Sequence, residues 1–263
     1  NRHMKAKKSY GQHFLTNEQL AERIANSFTK PPPRVLEVGP GKGMLTKYLL
    51  DQDFELKVVE ADRDMVTYLE EHYPALAANV IPGNFLRLKL DRVFDQNPFT
   101  LIGNFPYNIS SQIVFKMLDY RAFIPEMIGM FQREMAERII APHGDKTYGV
   151  ISVLAQAFYE GELLFRVSRG NFNPPPKVES AVIRLVRKEP HTLDCDESLF
   201  KSVVKQAFSQ RRKMLRNTLK HLIKDPDMLA EDFFKQRPER LSVEDFIMLT
   251  RRIGGREDEK MGG

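Results

Sequence analysis

Acidic residues are missing from one long stretch of this chain, apolar runs of membrane length are missing from all of it, and cysteine occurs once. A membrane-spanning helix needs about 18 or more consecutive apolar residues, and no such run exists. The N-terminus is basic and polar where a secretory leader would carry an apolar core, so neither insertion nor secretion is expected. Cys195 has no second cysteine to pair with, which fits a reducing cytoplasm. Internal repeats and low-complexity tracts are also absent, and the six histidines form no ligand-like cluster, so no metal is expected. Asn1 to His3, ahead of Met4, are expected to be a cloning remnant and are set aside.

What remains is a chain of 263 residues, 42% hydrophobic, enough for one large α/β core with a small appendage. A net charge of +5 admits a polyanionic partner without requiring one. Short β-branched or apolar runs start at Arg34, Leu56, Asn79 and Phe99, and each predicts a buried strand. Helix-compatible stretches at Leu45 to Leu50 and Asp64 to His72 alternate with them. That alternation predicts a mostly parallel, doubly wound sheet. Further runs at Met127 to Phe131, Glu162 to Val167 and Ser180 to Val186 bring the sheet to seven strands. Only the loop Ser168 to Glu179 separates the last two, too short for a crossover helix, so they are expected to pair antiparallel. After Glu189-Pro190 strand-like runs cease, and Leu199 to Ile223, Met228 to Phe234 and Ser242 to Ile253 predict helices, with Ser242 and Asp245 marking a helix start. These shifts divide the chain into an α/β domain over 4–188 and an all-helical domain over 189–263.

Chemistry gathers at two places. Glu37-Val-Gly39-Pro-Gly41-Lys-Gly43 sits where a strand hands over to a helix, and glycines there let the backbone turn and approach a ligand. A ligand-free glycine turn has the same look. Glu60, at the end of the next strand, is placed to accept both hydroxyls of a ribose, which suits S-adenosylmethionine or a nicotinamide cofactor. The second place is Asn104-Phe105-Pro106-Tyr107. Adenine N6 is a poor nucleophile because its lone pair is delocalised into the ring, so a methylating enzyme needs acceptors for both N–H bonds. The Asn104 carboxamide oxygen and the Phe105 carbonyl supply two such acceptors. Pro106 fixes φ and helps present that carbonyl, and Tyr107 offers a face for a flipped base. This motif favours S-adenosylmethionine over nicotinamide, as does the Gly-x-Gly-x-Gly spacing.

Together with Gly11-Gln-His-Phe-Leu15, Phe172-Asn-Pro-Pro-Pro-Lys-Val-Glu-Ser180 and Gln210-Arg-Arg-Lys-Met-Leu-Arg-Asn217, these motifs run in order through nearly the whole chain. The set resembles the KsgA-type small-subunit rRNA adenine dimethyltransferases. That resemblance implies a Rossmann-like S-adenosylmethionine methyltransferase domain with the last strand antiparallel. It implies a cofactor covered by Gln12, His13 and Leu15, with Gly39 and Gly41 at its methionine part, Glu60 at its ribose and Asn104 beside it. Asn84 stands where the family usually has Asp as acceptor for the cofactor's adenine amine. The amide oxygen still accepts but loses charge assistance. Phe172 matches the second base-stacking aromatic, opposite Tyr107. The mechanism implied is in-line transfer to N6, driven by orientation and electrostatics.

The acid-free stretch is 201–224, which carries Lys201, Lys205, Arg211, Arg212, Lys213, Arg216, Lys220 and Lys224. Read as one helix, it is either a solvated face or a phosphate-contacting surface. The adenine-modifying motifs favour the second, and Arg133 and Arg138 extend it. The resemblance implies 16S rRNA within the small ribosomal subunit or its precursor as the partner, and a cytoplasmic monomer is expected. Competing readings are an Erm-type methyltransferase of large-subunit RNA, a nicotinamide oxidoreductase, and an assembly factor in which Asn84 marks weakened cofactor use.

Overall fold

The computed structural model describes residues 6–7 and 11–255; the expected remnant Asn1 to His3, and Met4, lie outside the described residues. The chain forms two compact units. One takes in the described residues up to Ala136 together with Glu160–Arg187, and the other takes in Glu137–Tyr159 together with the described residues from Lys188 onward.

Elements of the chain run, in order, β1 (Phe14–Leu15), α1 (Glu18–Ala25), β2 (Arg34–Val38), α2 (Thr46–Leu50), β3 (Glu55–Glu60), α3 (Arg63–His72), β4 (Val80–Pro82), α4 (Leu90–Val93), β5 (Thr100–Asn104), α5 (Ser110–Asp119), β6 (Glu126–Gln132), α6 (Arg133–Ile140), α7 (Val150–Gln156), β7 (Tyr159–Val167), β8 (Phe172–Asn173) and β9 (Ser180–Arg187). The seven-stranded sheet has the order β4-β3-β2-β5-β6-β9-β7. β2 pairs in parallel with both β3 and β5, β3 with β4, and β5 with β6, while β9 runs antiparallel to β6 from Glu126↔Val186 to Gln132↔Ser180. Val35, Val58, Ile102, Ile128 and Val182 are buried together, as expected of strands covered on both faces.

The winding reverses between β2 and β5. The chain travels outward from β2 through β3 to β4 and then returns to lay β5 on the other flank of β2. Loops leaving the carboxyl ends of β2 and β5 therefore diverge and leave a crevice, the usual binding position of such sheets.

One pairing escaped the sequence analysis: β1 and β8 form a two-stranded antiparallel ladder with Leu15 opposite Phe172. It is extended by the Thr16 amide, which donates to the Asn171 carbonyl at 2.8 Å.

The second unit is helical, with α8 (Glu197–Ala207), α9 (Leu215–Thr218), α10 (Pro226–Leu229) and α11 (Val243–Ile253) joining α7. Two expectations need correction here. The predicted helix over Leu199 to Ile223 is broken, because α8 stops at Ala207 and residues 208–214 form a turn before α9. Local and tertiary partners compete with the helix at this point. The Ser209 hydroxyl donates to the Gln206 carbonyl at 2.6 Å. The Phe208 ring packs on Tyr148 and Phe246 at centroid distances of 6.0 and 5.9 Å, and the Arg211 guanidinium donates to the carbonyls of Lys146 and Tyr148. The same contacts explain why Glu137–Tyr159 clusters with the helical unit, whereas the sequence pattern placed a single cut between residues 188 and 189.

The expected start of α11 is present as a reciprocal cap. The Ser242 hydroxyl accepts from the Asp245 amide at 3.1 Å, and the Asp245 carboxylate accepts from the Ser242 amide at 3.0 Å. Ser242→Ala is expected to lower unfolding free energy by about 1 kcal/mol, read as a lower midpoint in chemical denaturation. Ser242→Asn should restore most of the loss.

Candidate active site

The crevice at the carboxyl ends of β2 and β5 opens into a cavity of about 560 Å³ in the first unit, within the range of small-molecule sites. Its wall includes Gln12, His13, Leu15, Gly39, Gly41, Glu60, Asn84 and Asn104, the residues expected to serve the cofactor, and also Phe105, Pro106 and Tyr107. Segments far apart in the chain meet there, because strand order places the glycine turn after β2 beside the loop after β5.

The glycine turn hugs its surroundings. Gly41 has φ of +56°, and a Cβ on it would lie 3.1 Å from the Phe14 ring, so a side chain would be strained and would crowd the cavity wall. Its amide donates to Glu60 Oε1 at 3.0 Å, and the Asp62 amide donates to Glu60 Oε2 at 2.9 Å. Burial raises the Glu60 pKa, and the two amides offset part of that shift. Both carboxylate oxygens are thereby oriented at the end of β3, each with a further lone pair to accept a hydroxyl.

Asp62 behaves oppositely. Burial opposes its ionisation, but hydrogen bonds from the Lys7 ammonium at 2.9 Å and the Gln12 amide at 3.0 Å, with the Asp64 amide, outweigh it and hold the pKa below the ordinary value. This ion ties the N-terminal segment to α3.

Glu37, a cavity residue to which the sequence analysis gave no role, is fully buried in β2, and burial pushes its pKa up to about 8 despite a hydrogen bond from the Thr46 hydroxyl. Its position near the carboxyl end of a central parallel strand was the available signal, the same one that singled out Glu60.

Asn84 caps the turn that follows β4, its side-chain oxygen accepting from the Leu86 amide at 2.9 Å. The adjoining Phe85 is fixed by Lys116 of α5, whose ammonium donates to the Phe85 carbonyl at 2.7 Å and lies 5.3 Å from the Phe85 ring centroid. Burial lowers the Lys116 pKa. Neither Phe85 nor Lys116 was foreseen, because nothing in their local pattern separates them from core and surface residues.

Across the crevice, the Asn104 amide nitrogen donates to the His13 carbonyl at 3.0 Å. Since only the NH₂ end can donate to a carbonyl, this contact assigns the amide and frees its oxygen to act as acceptor. Phe105 buries its ring against Phe131 at 5.2 Å, anchoring the loop after β5. The Tyr107 hydroxyl lies 2.5 Å from Ser180 Oγ, and its pKa is raised by burial against the opposing effect of that bond.

Phe172 is 4% exposed and packs in the apolar core with Leu15 and Val167. Pairing of β8 with β1 turns it inward. The His13 ring stacks on Tyr107, with centroids 5.1 Å apart and planes at 28°.

The residues expected to meet RNA fall in two stretches of the chain. In the helical unit Lys205 is exposed on α8, Arg212 and Lys213 are exposed in the turn, and Arg216 is exposed on α9. Arg211 is engaged with the two carbonyls and sits over Phe208, so it serves the fold of the turn. In α6, Arg138 is half-buried and Arg133 lies at the first position.

Comparison with known proteins places these features. The family model described as ribosomal RNA adenine dimethylase matches residues 3–244. The ribosomal RNA small subunit methyltransferase A of Flavobacterium johnsoniae is 53% identical over 251 residues, covering 95% of this chain and 96% of that one. The protein of the same name from Bacteroides thetaiotaomicron is 53% identical over 252 residues, covering 95% of this chain and 94% of that one. Among solved structures, a dimethyladenosine transferase from Plasmodium falciparum is similar with a TM-score of 0.76 at 26% identity, covering 92% of this chain and 98% of that one. The 23S rRNA methyltransferase ErmE reaches a TM-score of 0.68 at 25% identity, covering 90% of this chain and 99% of that one. With a family model matched along nearly its whole length and relatives at half identity, the chain belongs to the ribosomal RNA adenine dimethylase family.

Proposed function

We propose that this chain transfers methyl groups from S-adenosylmethionine to N6 of two adjacent adenines in the 3′-terminal hairpin loop of 16S rRNA, giving N6,N6-dimethyladenine during small-subunit biogenesis in the cytoplasm. Membership of the family and the names of its relatives support the reaction and the RNA. The observation that carries the reading to this chain is the orientation of Asn104: its NH₂ is committed to the His13 carbonyl, so its oxygen is the group presented to an amine.

The cavity fits the cofactor by its own chemistry. Glu60 offers an oriented carboxylate for vicinal hydroxyls, Gly39 and Gly41 lie at positive φ and keep the wall free of side chains, and Asn84 and Phe85 add a further wall. When bound, S-adenosylmethionine supplies a methyl group made electrophilic by its sulfonium. The chain's own residues do the rest. Asn104 Oδ1 and the Phe105 carbonyl accept the two N6 hydrogens, which pulls the nitrogen out of conjugation and turns its lone pair outward. Pro106 leaves that part of the loop without a competing N–H, and Tyr107 supplies the stacking surface. One proton departs from N6 per methyl gained and passes to water.

For RNA, the proposed contacts are Lys205, Arg212, Lys213 and Arg216 in the helical unit, with Arg133 and Arg138 of α6, acting through phosphate. The partner proposed is the small ribosomal subunit or its precursor, met by a monomer. The assembly-factor alternative has one specific observation behind it, the neutral Asn84, whose oxygen is already shared with the Leu86 amide.

Three outcomes are expected. Asn104→Ala should lower turnover on undermethylated small subunits by on the order of a hundredfold or more, as for loss of one preorganised polar group; dimethylation at the wild-type rate would exclude the loop after β5 as the reacting site. In calorimetric titrations the wild type should bind S-adenosylmethionine, and Asn84→Asp should bind it several-fold more tightly through a charge-assisted bond; binding detectable only in the Asp variant would support the assembly factor. Charge reversal at Arg212, Lys213 and Arg216 should weaken subunit binding and reduce its salt slope by roughly 0.7 for each single-strand phosphate that is no longer neutralised, with cofactor affinity unchanged.

A further inference from the structure

We propose that Lys42 binds the α-carboxylate of S-adenosylmethionine and so sets the preference of this site for a nucleoside that carries an intact amino acid. This inference rests on the methyltransferase reading above, and it gives a task to the one ionisable residue of the glycine turn over 39–43.

The turn fixes where Lys42 stands. The Gly43 amide donates to the Pro40 carbonyl at 2.9 Å and closes a four-residue turn in which Lys42 is a central residue. The glycines on either side of it, Gly41 and Gly43, have φ of +56° and +84°. A Cβ on Gly41 would lie 3.1 Å from the Phe14 ring, and one on Gly43 would lie 2.6 Å from the Tyr73 ring, so two aromatic rings press on the backbone that carries Lys42. The lysine is half-buried in the cavity wall, with its ammonium 4.9 Å from the centroid of the Phe14 ring. Lys47, the other lysine of that wall, is paired with Glu18. Lys42 has neither a hydrogen-bond partner nor an acidic partner among the described residues.

A cation set in a cavity wall against an aromatic face is partly desolvated, and a ligand anion offsets that cost. In S-adenosylmethionine the adenine is neutral, the ribose hydroxyls suit Glu60, and the sulfonium and the α-ammonium are cationic. The carboxylate is the anion that remains. Lysine beside the sulfonium would oppose binding, because two cations would meet where water screens them poorly. The turn keeps the two ends apart. At its start, a Cβ on Gly39 would lie 3.5 Å from the ring of Pro106, so this end abuts the loop that carries Asn104 and Tyr107, where the methyl group has to be delivered. Lys42 follows beyond the chain reversal, on the part of the wall left for the amino-acid tail. The carboxylate is separated from the sulfur by the length of that tail, so its bond to Lys42 is the same before and during transfer. Such a contact raises affinity without raising the rate of the chemical step.

The test is calorimetric and needs no turnover. S-adenosylmethionine, its decarboxylated analogue and methylthioadenosine, which lacks the whole amino acid, are each titrated into the wild type, Lys42→Met and Lys42→Arg. Loss of a hydrogen bond between charged groups corresponds to about tenfold or more, so Lys42→Met is expected to bind S-adenosylmethionine weaker by that factor. Its affinity for methylthioadenosine should stay at the wild-type value, and the decarboxylated analogue should bind it no more weakly than it binds the wild type. Lys42→Arg, which keeps the charge, should retain most of the affinity for S-adenosylmethionine. In steady-state assays on undermethylated small subunits, the effect of Lys42→Met should fall on KM for the cofactor and leave kcat at saturation in place. Equal losses for S-adenosylmethionine and methylthioadenosine would make Lys42 a support of the wall, and an unchanged cofactor affinity with a raised KM for subunits would assign it to RNA phosphate; either result overturns the proposal. Should Lys42→Met fail to fold by thermal melting, the wild type decides: a preference for S-adenosylmethionine over the decarboxylated analogue that shrinks with added salt supports the proposal, and equal affinity for the two overturns it. A wild type that binds none of the three ligands sinks the cofactor reading and this proposal together, whereas a wild type that binds all three with Lys42 indifferent sinks this proposal alone.

Discussion

A sheet wound outward from β2 and then brought back to its other flank must leave a gap where the loops of β2 and β5 part, and the chemistry of this chain depends on that gap. It brings the glycine turn within reach of the Asn104 loop without any long connection. It also explains why the carboxyl ends of β2, β3 and β5 carry Glu37, Glu60 and Asn104, whereas the middles of the same strands are largely apolar. The polar groups sit where the sheet stops covering itself.

Three acidic side chains share this neighbourhood; Glu60 helps raise the pKa of Glu37 and Asp62 that of Glu60, and their different surroundings set how each one titrates. Glu37 is sealed in the sheet with the Thr46 hydroxyl, and burial raises its pKa well above the ordinary carboxylate range. Glu60 is held by two backbone amides, and burial keeps its pKa above the ordinary value. Asp62 is ionised and balanced by Lys7. The net effect is one compensated charge at Asp62, one carboxyl oriented by backbone amides at Glu60 and one buried carboxyl with a raised pKa at Glu37, as expected where burial alone would make several carboxylates untenable. The balance also recruits the N-terminal segment, because Lys7 and Gln12 supply hydrogen bonds that keep Asp62 ionised.

In the helical unit a similar constraint decides which cations are available to a polyanion. Arg211 is occupied by the carbonyls of Lys146 and Tyr148, and this closes the turn between α8 and α9. Arg212, Lys213 and Arg216 are left exposed around it. Both Arg211 bonds come from one guanidinium nitrogen, Nη2, which joins the turn to residues 146–148.

Much was legible in the sequence because its cause is local. Buried parallel strands read as continuous apolar runs, the cap at Ser242 and Asp245 requires only a few neighbouring residues, and a glycine turn or an Asn-Phe-Pro-Tyr segment carries its backbone chemistry in its own residues. Other features are decided by partners far along the chain, so no local pattern announces them. Helix propensity over Leu199 to Ile223 was overridden by the engagement of Phe208 and Arg211 with residues 146–148. Phe172 carries the residue type of a stacking ring, yet the pairing of β8 with β1 turns it into the core. His13 stands in a motif expected to cover the cofactor, and its place against the loop after β5 comes only from Asn104, Tyr107 and Pro174. Sequence by itself therefore determined the sheet, the two motifs and the chemistry they hold in common. Tertiary structure alone decided which side chains face one another across the crevice, because that depends on the register of strands and on contacts that form only after the chain has closed on itself.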